Sequence, residues 1–189
     1  PKSSNCMECG ISNSCYCKMK IAFLMYNFVP NMGGVQVFAY NLINHLADKD
    51  HLIHLYLPYK SYISFTKYIN VTNIKVIPIF RYEYFIAEYL PGLISKKLIR
   101  YQKKYQYDVW QIVGAYPAGW VAKELSGIVP TILRTHGDDV QKEETLQYGL
   151  GINPIIEKKI KTTLNTMNHL IALTETVRQC YIDYGISDS

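Results

Sequence analysis

Lys20-Ile21-Ala22-Phe23-Leu24-Met25-Tyr26 is the stretch that decides the fold, since a loop ending in two glycines and then an amphipathic helix follow it. The apolar run predicts a buried β-strand. After Gly33 and Gly34, apolar residues recur from Val35 onward with the spacing of one buried helix face. Glycine N–H groups and a helix N-terminus can bind phosphate. The loop is therefore either a diphosphate site or a plain strand-to-helix turn.

Strands and helices alternate along the rest of the chain. Apolar runs predict further strands at 51–57, 73–79, 107–113, 130–134 and 169–173. Helices are predicted at 61–69, 84–105 and 117–127, and two more begin at Asn153-Pro154 and Thr174. Such alternation is typical of a sheet covered by helices on both faces. We predict an α/β, Rossmann-like, three-layer domain with a mainly parallel sheet of about six strands.

Ligands of such sheets bind where the strands end, at their carboxyl ends. His136 precedes a glycine at one of these predicted strand ends, which favours a functional over a structural role. Asp138 and Asp139, on the same loop, are either ligand contacts or a helix cap with solvated charges. The rule selects one rim, made of the loops 27–36, 114–117, 136–139 and 174–176.

The sequence lacks the motifs of several enzyme classes. No G-x-G-x-x-G follows the first strand, and the second strand closes on Leu57-Pro58 rather than on an acidic residue, which argues against an NAD-dependent dehydrogenase. The motifs of P-loop enzymes and of serine hydrolases are also missing. A net charge of +5 is too small to indicate nucleic acid, so no nucleic-acid partner is predicted.

Four of the five cysteines lie in residues 1–18, which we predict to be an extension outside a domain spanning 19–189. No metal site is predicted in that domain. No run is long enough to span a bilayer and no secretory leader is present, so a cytoplasmic protein is expected. The alternative for the extension is a zinc site, although its spacing fits no common finger: Cys6, Cys9, Cys15 and Cys17.

Basic residues lie on one face of the helix predicted at 84–105, and tyrosines precede them. Such a helix suits the surface of an anionic membrane. The alternative is an ordinary solvated face with the tyrosines packed below it. The basic positions are Lys96, Lys97, Arg100, Lys103 and Lys104.

Between residues 20 and 187, five segments in collinear order resemble family-four glycosyltransferases of the GT-B fold. Each segment alone is a weak signal, but their order makes the resemblance specific. The segments are the first strand with its P-x-M-G-G-V-Q loop and helix, YDVW at 107–110, GIVP at 127–130 leading into THGD at 135–138, HLIALTE at 169–175, and YGI at 184–186.

This resemblance implies the N-terminal, acceptor-binding domain of a retaining glycosyltransferase. The reaction implied moves a sugar from a nucleotide-diphosphate sugar to a glycan or lipid-linked acceptor of the polysaccharide or cell-envelope type. It also implies that Gly33 and Gly34 bind the donor diphosphate. His136 would be catalytic, reaching the donor sugar or the charge that develops near the reacting carbon. The acceptor or cleft-rim positions implied are Asp138, Asp139, Thr174 and Glu175.

The chain departs from the family pattern at its end. The paired glutamates and the Arg/Lys pair of the family belong to a second, donor-binding domain, so we expect the chain alone to be inactive. The family stabilises the leaving diphosphate without a protein base, and we expect no cofactor and no metal requirement. A peripheral location at the inner face of the plasma membrane goes with a lipid-linked acceptor. The alternatives are a non-catalytic sugar- or nucleotide-binding module, or a subunit that needs a separate donor-domain partner.

Overall fold

The computed structural model describes residues 17–28, 33–68, 74–79 and 87–187. Six parallel strands form one sheet in the order β3-β2-β1-β4-β5-β6. The strands are β1 Lys20–Met25, β2 Leu52–Leu57, β3 Ile74–Pro78, β4 Val109–Val113, β5 Thr131–Arg134 and β6 His169–Ile171. The chain winds outward from the centre twice, and the direction reverses between β1 and β4, as in a Rossmann sheet. The α/β, Rossmann-like prediction is confirmed.

Helices connect the strands on both faces of the sheet. They are α1 Gly34–Asp48, α2 Tyr59–Tyr68, α3 Pro91–Tyr105, α4 Trp120–Ala122, α5 Pro154–Thr166 and α6 Glu175–Asp183. The helix predicted at 117–127 is irregular: the segment Ala115–Gly119 before α4 is kinked at Tyr116, whose φ of −137° and ψ of 138° are extended, and a 3₁₀ helix, Lys123–Gly127, follows α4. Its backbone packs closely on α5, because a Cβ at Gly119 would lie 2.5 Å from Cγ2 of Thr163.

Each face of the sheet has its own apolar core. Ala39 and Ile43 of α1 pack on one face, and Ile94 and Leu98 of α3 pack on the other. All five residues of β4 are buried, since helices cover it on both sides. Helices thus cover both faces of the sheet. The carboxyl ends of the strands form one edge, here called the carboxyl edge, and this edge remains accessible to ligands.

Polar residues begin two of the helices as the sequence predicts. The Asn153 side chain accepts hydrogen bonds from the N–H groups of Ile155 and Ile156 at the start of α5. At the start of α6, Oγ1 of Thr174 accepts one from the N–H of Val177, over 3.2 Å. Both side chains satisfy donors that a helix N-terminus leaves free.

Candidate functional site

A cleft with a volume of 470 Å³ opens at the carboxyl edge. Met25, Val113 and Arg134 lie side by side there, because β1 pairs with β4 and β4 with β5 in register. This is the point where the strand order reverses, the usual ligand position in such sheets. The cleft is lined by Met25, Tyr26 and Asn27 after β1, Val35 and Gln36 of α1, Val113, Gly114, Tyr116 and Pro117 after β4, His136, Asp138 and Asp139 after β5, and Glu88, Leu150 and Ile156.

Asp139 joins two sides of the cleft. Its side chain is buried, with 6% of its surface exposed. Oδ2 accepts a hydrogen bond from the N–H of Ala115 over 2.7 Å, and Oδ1 accepts one from the N–H of His136 over 2.8 Å. Burial raises the pKa of this carboxyl, and the two hydrogen bonds act in the opposite direction. The carboxylate therefore fixes the loop after β4 to the loop after β5, and a further role in binding acceptor hydroxyls stays a prediction.

Gly114 carries the chain from β4 into the cleft wall. Its φ of +94° lies in the left-handed region, which favours glycine. Its N–H donates to the carbonyl oxygen of Arg134 over 2.9 Å. The turn thus continues the pairing of β4 with β5 by one residue and then directs the backbone toward Asp139.

His136 is half-buried and lines the cleft. Burial lowers its pKa to about 4, and the positive charge of Arg134 acts in the same direction, while Asp138 opposes both. The imidazole is therefore neutral near neutral pH, with one nitrogen as a donor and the other as an acceptor. Its Nε2 is buried and has no hydrogen-bond partner within the described part of the chain. A buried polar atom without a partner is uncommon in proteins and marks a place where a ligand can bind.

Arg134 lies behind His136, and sequence reasoning did not single it out. Its guanidinium carbon Cζ is 3.3 Å from the centre of the Phe38 ring, and that ring lies 5.9 Å from the His136 ring. The three side chains pack α1 against the end of β5. A charged residue that ends an apolar strand and stands two positions before a histidine was the signal that could have indicated it.

Gly33 and Gly34 lie at the start of α1 and are both exposed. The N–H of Gly33 donates to Oε1 of Gln36 over 3.0 Å. Nε2 of the same side chain donates to the carbonyl oxygen of Asn27 over 3.4 Å, so Gln36 closes the turn. An anion can bind the N–H of Gly33 only after this side chain has rotated away. Residues 29–32 of the loop lie outside the described residues.

The remaining rim positions lie apart from one another. Asp138 is exposed and lines the cleft, and its carbonyl oxygen accepts a hydrogen bond from the N–H of Leu150 over 2.8 Å. Thr174 caps α6, and Glu175 forms an exposed ion pair of 2.5 Å with Arg178. Neither Thr174 nor Glu175 is among the residues that line the cleft. Their assignment to the rim of the site stays a prediction.

The segment between Gln141 and Pro154 forms a closely packed wall beside the cleft. Glu143 and Tyr148 pair as an isolated antiparallel bridge, and Gly149 packs so tightly that a Cβ would lie 2.0 Å from the carbonyl oxygen of Gln141. Leu146 is 76% exposed at its tip. The wall therefore presents apolar side chains to solvent at the carboxyl edge.

Other predicted features fall partly outside the described residues. Cys6, Cys9 and Cys15 are not described, and Cys17 is exposed and free. Within the described ranges, no group of three or more His, Cys, Asp or Glu side chains could hold a metal ion. No helix in those ranges is both long enough and apolar enough to cross a membrane.

Comparison with known structures identifies the fold. Sucrose-phosphate synthase from Thermosynechococcus elongatus matches with a TM-score of 0.64 and 16% identity, covering 88% of this chain and 45% of that one. UDP-N-acetylglucosamine 2-epimerase from Rickettsia bellii matches with a TM-score of 0.59 and 15% identity, over 89% and 43%. The enzyme of the same name from Methanocaldococcus jannaschii gives 0.56 and 15%, over 89% and 43%.

The chain spans less than half the length of each of these proteins. At such identities the matches establish a shared fold and nothing about substrates. No curated protein sequence matches the chain significantly. The sequence does match the model of a family described as Glycosyltransferase Family 4, over residues 32–189. That match includes α1, the cleft loops after β4 and β5 and the last helix, and the chain belongs to glycosyltransferase family 4.

Proposed function

We propose that this chain is the acceptor-binding domain of a retaining glycosyltransferase. The enzyme transfers a sugar from a nucleotide-diphosphate sugar to a glycan or lipid-linked acceptor. Membership of the family supports sugar transfer as the reaction. The observation that carries the assignment of the site is His136, a neutral imidazole whose buried Nε2 has no partner in the described residues and which lines a cleft at the reversal point of the sheet.

His136 acts through hydrogen bonding. Because its pKa is about 4, the ring carries no positive charge near neutral pH and cannot neutralise a developing negative charge as a cation. A neutral imidazole can donate to, or accept from, a sugar hydroxyl. Holding the reacting sugar in one orientation lowers the entropic part of the barrier. Asp139 supports this role by accepting a hydrogen bond from the backbone N–H of the same histidine.

The amino end of α1 is the proposed diphosphate contact from this domain. A helix N-terminus offers free N–H groups and the positive end of the helix dipole. Gly34 leaves this end open, because a Cβ there would meet nothing within 4 Å. Gly33 joins the contact once the Gln36 side chain has turned away from its N–H.

A second domain supplies the rest of the donor site in this proposal. The matched structures are more than twice as long as the part that this chain covers, which supports the idea that the chain works beside another domain. The chain alone is then inactive. Transfer needs no cofactor and no metal ion, and an assay that depends on added Mg²⁺ contradicts this part. The reaction takes place in the cytoplasm, with the inner face of the plasma membrane as the place of a lipid-linked acceptor.

The test is an assay of the protein, together with any donor domain encoded in the same gene, against a panel of nucleotide-diphosphate sugars. For the active donor we expect His136→Ala to lower kcat/KM by about 100-fold to 1000-fold, the usual cost of losing one positioned hydrogen-bonding group. His45→Ala is the matched control, because His45 is exposed on α1 and does not line the cleft. A His136→Ala protein with wild-type activity rejects the assigned site, and failure with every donor rejects the transferase.

A further inference from the structure

Helix α3 concentrates positive charge. Its sequence, PGLISKKLIRYQKKY, contains five basic residues and no acidic residue. The net charge of the whole chain is also +5, so the rest of the molecule is close to neutral. A helix on the surface of a globular protein usually mixes both signs of charge, since opposite charges at adjacent turns stabilise it. The composition of α3 therefore points to a partner with negative charge.

Four of the five basic side chains of α3 are exposed, all except Lys97. Lys96, Arg100 and Lys103 are exposed at the spacing i, i+4 and i+7, which places them on one stripe of the helix. None of the three forms an ion pair with a described residue. Their charges are thus available to an external anion.

The other two basic residues of α3, Lys97 and Lys104, contact other residues of the chain. The ammonium group of Lys97 donates to the carbonyl oxygen of Ile79 and lies 5.9 Å from the ring of Tyr101. Burial lowers the pKa of Lys97. The ammonium group of Lys104 lies 5.2 Å from the centre of the Tyr105 ring. Lys97 therefore ties α3 to the end of β3, a role that the sequence pattern did not distinguish.

An apolar patch continues the stripe toward the cleft. Tyr89, Leu90 and Leu93 are 64%, 51% and 50% exposed, and Leu93 lies one turn before Lys96. Glu88, the residue before Tyr89, lines the cleft. The order along the surface is therefore cleft mouth, apolar patch and then basic stripe.

We propose that this surface docks on an anionic lipid bilayer. Charge complementarity identifies the partner, because three cations without a neighbouring carboxylate on their helix match phosphate-bearing headgroups. The exposed leucines fit the boundary between headgroups and acyl chains, where amphipathic helices bury their apolar face. Docking in this way turns the mouth of the cleft toward the bilayer. The inference rests on the proposed function for its membrane location and adds the surface that makes the contact, and its test needs no sugar transfer.

The test is sedimentation of the protein with vesicles, using phosphatidylcholine mixed with phosphatidylglycerol and phosphatidylcholine alone. The triple variant Lys96→Gln, Arg100→Gln and Lys103→Gln is expected to bind the anionic vesicles about 100-fold more weakly, since each basic residue contributes about 1 kcal/mol. The matched control replaces three exposed lysines elsewhere by glutamine: Lys60, Lys158 and Lys161. The control loses the same charge and is expected to stay within about threefold of wild type.

A second pair of variants tests the apolar patch. Leu90→Ser with Leu93→Ser is expected to weaken binding about tenfold, because two half-exposed leucines no longer enter the bilayer. Ile128→Ser is the control, since Ile128 is 51% exposed before the start of β5, at the opposite end of the strands from the cleft. Circular dichroism of each variant verifies that it is folded.

Several outcomes reject the proposal. Equal losses in the two triple variants mean that only net charge matters, and equal binding to both vesicle types means that no anionic headgroup is recognised. Absence of wild-type binding at low ionic strength also rejects it. Binding of a polynucleotide or of an acidic protein without binding of vesicles assigns the stripe to another partner and rejects it as well.

Discussion

Two buried polar regions of this molecule contain a histidine with a lowered pKa. They differ in whether the histidine has a hydrogen-bond partner among the described residues. Next to the end of α3, the hydroxyl of Tyr107 lies 2.5 Å from Nδ1 of His54 and 2.6 Å from the hydroxyl of Tyr56. Nε1 of Trp110 donates to Oε1 of Gln102 beside them, over 2.8 Å. We call these five residues the tyrosine network.

The cleft at the carboxyl edge is built differently. Burial lowers the pKa of both His54 and His136. However, His54 hydrogen-bonds to a tyrosine, whereas Nε2 of His136 has no partner among the described residues. A network that closes on itself stabilises the fold, and a buried polar atom without a partner beside a cleft is a candidate contact for a ligand. Burial alone therefore does not distinguish the two histidines, but the presence of a hydrogen-bond partner does.

The largest effect on stability is expected at the residue that anchors the cleft. Asp139→Ala leaves the N–H groups of Ala115 and His136 without their acceptor, and we expect the free energy of unfolding to fall by about 3–4 kcal/mol. Relief of the buried carboxylate offsets part of the loss. Urea unfolding followed by tryptophan fluorescence measures it. Asp138→Ala is the control, and a change within about 0.5 kcal/mol is expected because that side chain is exposed.

The tyrosine network is expected to give the next largest effect. Tyr107→Phe removes the hydroxyl that His54 and Tyr56 share, and two buried groups lose a partner. We expect a loss of about 2–3 kcal/mol of unfolding free energy. Tyr101→Phe removes a hydroxyl from a half-buried ring and should cost less than about 1 kcal/mol. If Tyr107→Phe abolishes sugar transfer while the protein stays folded, the network is not merely structural and the comparison fails.

A smaller effect is expected in the pH dependence of stability, and it comes from His136 in the cleft. The pKa of His136 falls from 6.5 to about 4 on folding. The contribution of this residue to the free energy of unfolding is therefore present above pH 6.5 and is lost as the pH falls from 6.5 to about 4. Between about pH 7 and about pH 5 this lowers the unfolding free energy by about 2 kcal/mol. In His136→Gln, which has no charge to gain, that part of the pH dependence should disappear.

Other groups with shifted pKa values are common to both proteins. The lowered pKa of His54 acts in the same direction as that of His136, and the raised pKa of Asp139 acts in the opposite direction. The difference between wild type and His136→Gln isolates the one imidazole. Identical slopes for the two proteins contradict a neutral His136 in the folded state.

The sequence predicts the sheet well because parallel strands are buried on both faces and read as apolar runs. The order of the strands could not be read from it, and the order decides which loops meet. Three of the four loops chosen for the rim contribute to the cleft, but Thr174 does not line it. It follows β6, the edge strand, which lies two strands beyond β4, about 10 Å away.

Side-chain roles were predicted less completely than loops. His136 and Gly33 were indicated by position alone, whereas Asp139 depends on two N–H groups that the fold brings to its carboxylate from different loops. Arg134 lies in β5 and Gln36 lies in α1. The apolar patterns of this strand and this helix are explained by burial, so they give no reason to single out either polar residue. No local pattern reports that a side chain will turn into a neighbouring loop, because the contact exists only after β1, β4 and β5 have paired.

The smallest expected effect tests the competition at the start of α1. In Gln36→Ala the N–H of Gly33 loses its side-chain acceptor, and we expect the unfolding free energy to fall by about 0.5–1 kcal/mol. If Gly33 binds the diphosphate, the freed N–H should strengthen binding of inorganic pyrophosphate by about threefold, measured by calorimetry on the protein together with any donor domain encoded in the same gene. Weaker binding means that Gln36 is itself a ligand contact. That outcome assigns the open end of α1 to Gln36 and makes the glycine pair a plain turn.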